Sequence, residues 1–242
     1  IKRGTVKVGN EGSPEAIFDW IDRGDAKDYS DRFWTLDTID GTKGFLRGEQ
    51  YAVALALIVN GQVELALLGC PNLICNDNEK GVIQYAIKGE GSFQIPMDRD
   101  QTPQQIKISN TKDPVEARFC ESVESGHSSH SLSSKVADSL GITREPVRLD
   151  SQAKYAIVGR GEADIYMRLP TRPGYREKIW DHAGGVLIVQ EAGGIVTDIE
   201  GKALEFHHGY ELVKNAGILA ANPNFYPSVL QALKENDPRK KQ

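Results

Sequence analysis

The chain is short of the residues that would mark a secreted, membrane-spanning or nucleic-acid-coating protein. It has three cysteines in 242 residues, Cys70, Cys75 and Cys120. Their odd number and irregular spacing exclude a disulfide framework. A C-x4-C pair without further ligands is weak evidence for zinc, so buried reduced thiols are expected. A reducing compartment follows, most simply the cytoplasm. No apolar run approaches the roughly 20 residues that cross a bilayer, and the longest ones break at Asn60-Gly61. No membrane partner and no secretory signal are expected. Basic excess is also missing: 29 Lys and Arg face 34 Asp and Glu, for a net charge of -5. That argues against a nucleic-acid polymer as partner, yet permits a small nucleotide in a locally basic pocket. Trp20, Trp34 and Trp180 read as packing residues rather than base-stacking platforms. Methionine is scarce: the chain opens on Ile1 and its first methionine is Met97. It reads as a fragment or processed product, with an N-terminal piece of the same protein as an expected partner.

What is present is an ordinary hydrophobic content of 39%, enough for a packed globule of one large or two small domains. Ser13-Pro14-Glu15 suits a helix start. Phe33–Leu36 reads as a buried strand. Tyr51–Val59 and Gln62–Gly69 read as a hairpin joined by Asn60-Gly61, ended by Cys70-Pro71-Asn72. Further strands are expected at Gly81–Ile87, Gly91–Ile95 and Ile106–Ser109. A boundary near Asn110–Pro114 divides an N-terminal α+β part, residues 1–112, from an α/β part, residues 113–242. In the second part, strands are expected at Arg118–Val123, Val147–Leu149, Ala163–Arg168, Ile195–Asp198 and Gly217–Ala221. Helices are expected at Ser131–Leu140, Ser151–Gly159, Asp181–Glu191 and Pro223–Leu233, before a charged tail from Glu235.

The chemistry concentrates in Trp34-Thr35-Leu36-Asp37-Thr38-Ile39-Asp40-Gly41-Thr42-Lys43-Gly44-Phe45. Asp37 falls where the strand should end and Asp40 falls in the turn. Side chains at i and i+3 of a strand point to opposite faces, so the turn must bend if the carboxylates are to converge, and Gly41 permits that. Thr42 offers a hydroxyl, and the amides after Asp40 can face an anion. Two carboxylates with phosphate oxygens suit Mg²⁺. In isolation the pair reads more readily as turn and cap residues than as a metal site. Asp181, in Trp180-Asp181-His182-Ala183-Gly184-Gly185, sits at an expected helix start, where capping alone would explain it.

Together these runs resemble the D-P-[IL]-D-G-T and W-D-x-A-[AG]-G signatures of the magnesium-dependent, lithium-sensitive phosphomonoesterases. That superfamily includes inositol monophosphatases, fructose-1,6-bisphosphatases and 3'(2'),5'-bisphosphate nucleotidases. Thr38 stands where the family usually has proline, and threonine can adopt the same extended backbone. Glu191-Ala192-Gly193-Gly194 extends the match. Thr42–Gly48, Gly126-His127-Ser128-Ser129-His130, Asp150-Ser151-Gln152-Ala153-Lys154-Tyr155, Met167-Arg168-Leu169-Pro170 and Glu177-Lys178-Ile179-Trp180-Asp181 resemble the bisphosphate nucleotidase branch.

The resemblance implies an α/β, inositol-monophosphatase-like αβαβα sandwich, with the N-terminal helices and first strands missing. It implies two or three Mg²⁺ ions held by Asp37, Asp40, Asp181 and the carbonyl of Ile39. Thr42 would orient the attacking water, with Asp37 and Asp40 in the catalytic group. His127, Ser151, Lys154, Arg168 and Asp181 would face the substrate, adenosine 3',5'-bisphosphate or a related small phosphate ester. An inositol phosphate phosphatase, or a nucleotide-binding protein without turnover, are the alternatives. Read without the resemblance, Lys154 and Arg168 are equally surface charges, and His127 is a surface or core polar group. The family also uses a glutamate and an aspartate from upstream segments, and neither is found ahead of Asp37. The isolated 242-residue chain is therefore expected to show little Mg²⁺-dependent phosphate release; full turnover by it alone would overturn that reading.

Overall fold

The computed structural model describes residues 24, 29–75, 79–97, 101–123, 130–169 and 174–236. The expected first helix, Trp20 and His127 lie outside the described residues. Asp31–Gln242 form one compact unit apart from Ile1–Ser30, and all the described strands and helices lie in it. Among the described residues, the first sheet takes its strands in chain order, all antiparallel. They are β1 (Arg32–Asp40), β2 (Ala52–Val59), β3 (Gln62–Ile74), β4 (Lys80–Ile87), β5 (Gly91–Pro96) and β6 (Gln104–Ile106).

The β2–β3 hairpin turns where Asn-Gly demands it. Asn60 and Gly61 both have positive φ, 50° and 76°, the geometry of a type I′ turn. Contrary to the sequence reading, β3 does not end at Cys70-Pro71-Asn72. It continues to Ile74 through a register shift between Cys70 and Ile74, and such an irregularity is where a strand can tolerate proline. The last strand of this sheet is Gln104–Ile106 rather than Ile106–Ser109.

β1 departs further from expectation. Among the described residues it is an edge strand with only Thr35 buried, and Trp34 and Leu36 are about half exposed, at 53% and 51%. Trp34 is thus not a packing residue of this sheet. The strand also runs through Asp40, so Asp40 ends a strand and does not sit in a turn.

The second sheet has the order β10-β11-β9-β7-β8. Its strands are β7 (Phe119–Glu121), β8 (Val147–Arg148), β9 (Ile165–Arg168), β10 (Ile195–Thr197) and β11 (Ile218–Ala221). β7 is parallel to β8 and β9; the other pairings are antiparallel. The chain passes from one sheet to the other between Ile106 and Phe119.

A short helix α1 (Thr42–Leu46) follows β1, and α2 (His130–Leu140), α3 (Ala153–Gly159), α4 (Ala183–Glu191) and α5 (Tyr226–Asn236) complete the fold. α3 and α4 lie between the sheets. α4 is apolar all round and is buried from Ala183 to Val189, as a helix with no solvent face must be. Its Val186, Leu187 and Ile188 join Leu68, Val82, Tyr155 and Ala220 in one core. Each such side chain contributes about 1.5–3 kcal/mol on burial. A second core, with Val136, Phe119, Met167, Leu219 and Val229, packs α2 and α5 on the outer face of the second sheet. The layers are sheet, helices, sheet, helices, an α+β arrangement. Helix boundaries differ from the sequence reading; the last helix, for one, starts at Tyr226 rather than Pro223. α5 runs on to Asn236, past the expected tail start. Asp181 lies in a 3-10 turn (Ile179–Asp181), with His182 as the residue entering α4.

α3 and α4 approach closely at Gly185, where an added Cβ would lie 2.2 Å from Tyr155 Cδ2. The Gly185→Ala chain is expected to lose about 1–3 kcal/mol, as overpacked cores do, read as a lower urea midpoint at unchanged slope.

Candidate active site

The convergence of Asp37 and Asp40 is made by β1 itself. Asp37 pairs with Ala54 and Asp40 with Ala52, so two residues of β1, Thr38 and Ile39, oppose one of β2. That extra residue is a β-bulge, which re-aims the side chains that follow it. Two carboxylates that regular alternation would send to opposite faces are thereby brought to one. Gly41, at φ 82°, then turns the chain into α1. The bend is thus shared between the bulge and Gly41, rather than made by Gly41 alone.

Asp181 comes from the turn ahead of α4 and completes the group. Asp37, Asp40 and Asp181 each place a carboxylate oxygen within 4.8 Å of the others. All three, with Ile39, Thr42, Ser151, Lys154 and Arg168, line one cleft of about 470 Å³. Within it the Ile39 N–H donates to Asp37 Oδ1 at 3.1 Å, and the Thr42 hydroxyl donates to the Ile39 carbonyl at 3.3 Å. Burial and the charges of Asp40 and Asp181 push the Asp37 carboxyl up to about 6. Burial raises Asp181 as well, with Asp40 adding to it and His182 and Arg168 opposing. Like charges crowded in a half-buried cleft favour the neutral acid, and a divalent cation would relieve the same repulsion. The donor set is hard oxygen throughout, which fits Mg²⁺.

The segment 150–153 fastens the two sheets at this point. The Gln152 N–H donates to Asp40 Oδ2 at 2.5 Å. Arg47, just past α1, pairs with the buried Asp150. Gly41 lies so close that an added Cβ would be 2.8 Å from Ser151 Cβ. Ser151 itself holds a left-handed φ of 68°, uncommon for a residue with a side chain. Its hydroxyl accepts the Ala153 N–H at 3.1 Å. Ser151 is therefore not the first residue of a helix, as expected, but a buried turn residue ahead of α3, and its hydroxyl already caps the helix.

Lys154 and Arg168 are not surface charges. Lys154 is buried at 3% exposure. Its ammonium donates to the carbonyls of Ser151 at 2.7 Å and Leu149 at 3.3 Å, 5.5 Å above the Tyr166 ring. Burial pulls its pKa down, against the pull of Asp40. Arg168 Nε is 2.7 Å from Glu177 Oε2, and its Nη2 is 3.9 Å from Asp181 Oδ2. His127 is outside the described residues, so the geometry does not place it.

Three residues that the sequence reading quoted but gave no role complete the site. Gln152 ties the carboxylates to α4: its side chain accepts from Gly185 N–H at 3.0 Å and donates to the Trp180 carbonyl at 2.8 Å. His182 is fully buried, with Tyr155 Oη 2.8 Å from Nδ1 and Glu177 Oε2 3.1 Å from Nε2. Burial holds the proton on Tyr155, and Tyr155 and Glu177 between them engage both ring nitrogens of His182. Burial alone would raise Glu177, but His182 and Arg168 outweigh it and hold its carboxyl below the usual range. The ionised Glu177 in turn locks Arg168 beside Asp181. Their signal in the sequence was position: each lies within five residues of a residue already assigned, in the D-S-Q-A-K and E-K-I-W-D-H runs.

Residues 9–237 match the model of the inositol monophosphatase family. The chain is 45% identical over 233 residues to the 3'(2'),5'-bisphosphate nucleotidase of Schizosaccharomyces pombe, covering 93% of this chain and 66% of that protein. It is 46% identical over 236 residues to the protein of the same name from Dictyostelium discoideum, covering 95% and 71%. The chain thus spans about two thirds of the length of these curated relatives. Among solved structures, the Thermotoga maritima IMPase superposes with a TM-score of 0.67 at 26% identity, over 86% of this chain and 71% of that one. An inositol monophosphatase from Anabaena gives 0.63 at 21% identity, over 88% and 75%, a likeness of fold.

The raised Asp37 carboxyl has a signed consequence for stability. Its folded value of about 6 lies above the ordinary 3.8. The stabilisation is therefore complete below about pH 4 and is lost as pH rises through about 6. In metal-free protein, Asp37→Asn is expected to raise Tm near neutral pH by the equivalent of about 1 kcal/mol, discounted for solvent screening, and to leave it unchanged near pH 4. Thermal unfolding in chelator at the two pH values tests this, and an equal shift at both would contradict it.

Proposed function

The chain belongs to the inositol monophosphatase family, and from that premise we propose that it carries the catalytic carboxylates and substrate cradle of a 3'(2'),5'-bisphosphate nucleotidase. The reaction is hydrolysis of the 3'-phosphate of adenosine 3',5'-bisphosphate to AMP and phosphate, with the related 3'-phosphoadenylyl sulfate as a second substrate. One observation carries the reading: Asp37, Asp40 and Asp181 converge in a single cleft that also holds Lys154 and Arg168. The names borne by relatives at about 45% identity favour this branch over inositol phosphates.

Asp37, Asp40, Asp181 and the Ile39 carbonyl would hold Mg²⁺ ions, which when bound supply Lewis-acid activation of water and neutralise charge on the phosphate. The remaining work falls to the chain's own groups. Thr42 gives its hydroxyl proton to the Ile39 carbonyl, so its free lone pair can accept a proton of the attacking water and aim the water's oxygen at phosphorus. Water attacks in line and its oxygen bonds to phosphorus, the bond from phosphorus to the ribose 3'-oxygen breaks, and the departing oxygen takes up the proton that the water gives up. Arg168 is locked by Glu177 and supplies directed donors at the rim. Lys154 contributes positive charge from behind the Ser151 turn, where charge-assisted attraction acts on a phosphate. His127 and Ser151 are assigned to the nucleotide by resemblance. Lithium sensitivity follows from the family likeness.

Phosphate release should be measured in the whole protein with adenosine 3',5'-bisphosphate and inositol 1-phosphate, with and without Li⁺. Release from the nucleotide is expected to dominate, to need Mg²⁺ and to fall with Li⁺. Asp37→Asn should lower kcat at least about 100-fold, since it removes several kcal/mol of charge stabilisation. Preference for the inositol ester would move the protein to the sibling activity. Tight nucleotide binding without turnover, unaffected by Asp37→Asn, would make it a binding protein.

A further inference from the structure

A second ligand cluster lies in the loop between β10 and β11. Glu205, His207 and His208 each place a donor atom within 4.8 Å of the others. Glu205 Oε2 is 2.5 Å from His208 Nε2 and 3.8 Å from His207 Nε2. The two imidazoles lie against each other with centroids 4.0 Å apart and planes at 40°. All three side chains reach solvent. An ion pair explains the contact of Glu205 with His208. A second imidazole, His207, is turned to the same carboxylate. Together the three make a His-His-Glu donor set.

The backbone beneath the cluster is anchored. Phe206, between two of the ligands, is buried in the main core. The Glu205 N–H donates to Asn215 Oδ1 at 2.9 Å, and the buried Asn215 donates to the Ala203 carbonyl at 2.9 Å. On the far side His207 rests on the β2–β3 turn, where a Cβ at Gly61 would lie 2.8 Å from its Nδ1. Ligands on a fixed backbone lose little freedom on binding, which favours affinity. The turn is at the opposite end of β2 from Ala52, the partner of Asp40. At about 3.3 Å per residue the two ends are about 23 Å apart.

We propose that Glu205, His207 and His208 form a surface site for a borderline divalent transition metal such as Zn²⁺, with water completing the coordination. Two imidazoles and one carboxylate are the donors Zn²⁺ takes and Mg²⁺ declines. The site is independent of the phosphatase reading, because no residue is shared with the cleft.

The test is calorimetric titration of Zn²⁺ into the purified protein with excess Mg²⁺ present to occupy the carboxylates. One saturable Zn²⁺ equivalent is expected in the parent protein and in Asp37→Asn. His207→Ala and His208→Ala should each weaken it at least about tenfold, since loss of a group outside the ligand shell already costs about 10–100-fold. Glu205→Gln, which keeps the side chain's shape, should weaken it too, with circular dichroism unchanged. A Co²⁺ absorption band lost in the same variants would support the site. Absence of a saturable equivalent, or one that survives the double substitution of His207 and His208, would overturn it.

Discussion

Three carboxylates gathered in one cleft repel one another, and the fold must hold them together against that repulsion. The burden falls on the contact between the end of β1 and the segment 150–153. Gln152 gives its N–H to Asp40, Arg47 pairs with Asp150, and Gly41 leaves no room for a side chain against Ser151. Those contacts join the first sheet to the turn ahead of α3. The Gln152 side chain then reaches the Trp180 carbonyl and the Gly185 N–H, which fixes the turn carrying Asp181. One short segment thereby sets the distance between carboxylates contributed by two separate parts of the chain. Left-handed backbone at Ser151 is consistent with that duty, since such strain persists only where its surroundings over-determine it.

A second chain of contacts stabilises the opposite wall. Tyr155, His182, Glu177, Arg168 and Asp181 form a line from the core between the sheets to the cleft. His182 and Arg168 both lie against Glu177, and they offset the desolvation cost of its ionised carboxylate. The same arrangement limits Arg168. Shared between two carboxylates, its guanidinium is held at the wall of the cleft. Lys154, turned to backbone carbonyls, is restrained in a comparable way. The cleft is thus more acidic than its list of basic residues suggests.

Much of this was legible in the chain. The Asn60-Gly61 hairpin, the apolar helix after Asp181 and the alternation of strands and helices beyond Phe119 follow from local pattern, because turn chemistry and burial on all sides leave marks in a few consecutive residues. Strand ends were less legible. β1 was expected to stop at Leu36 and to be buried, yet it reaches Asp40 as an edge strand with Trp34 and Leu36 exposed. Length of pairing and sidedness depend on neighbouring strands, which no local window contains. β3 ran through Pro71 for the same reason, the register shift absorbing the residue that should have ended it.

By itself the sequence determined which groups could do chemistry: two aspartates at a strand end, a third before an apolar helix, and Thr42, Lys154 and Arg168 in runs with a family likeness. Charge and hydrogen-bonding capacity belong to residues wherever they lie. Only the tertiary structure decided what those groups do with that capacity. A bulge between Asp37 and Asp40 turned opposite faces into one, and Gln152 drew Asp40 toward Asp181's turn. Burial pushed the Asp37 carboxyl up, spent the Ser151 hydroxyl on a helix cap, and brought His182 into line with Glu177. Proximity and desolvation arise between residues distant in sequence, and they set the ionisation of Asp37 and the direction of Arg168 in the cleft.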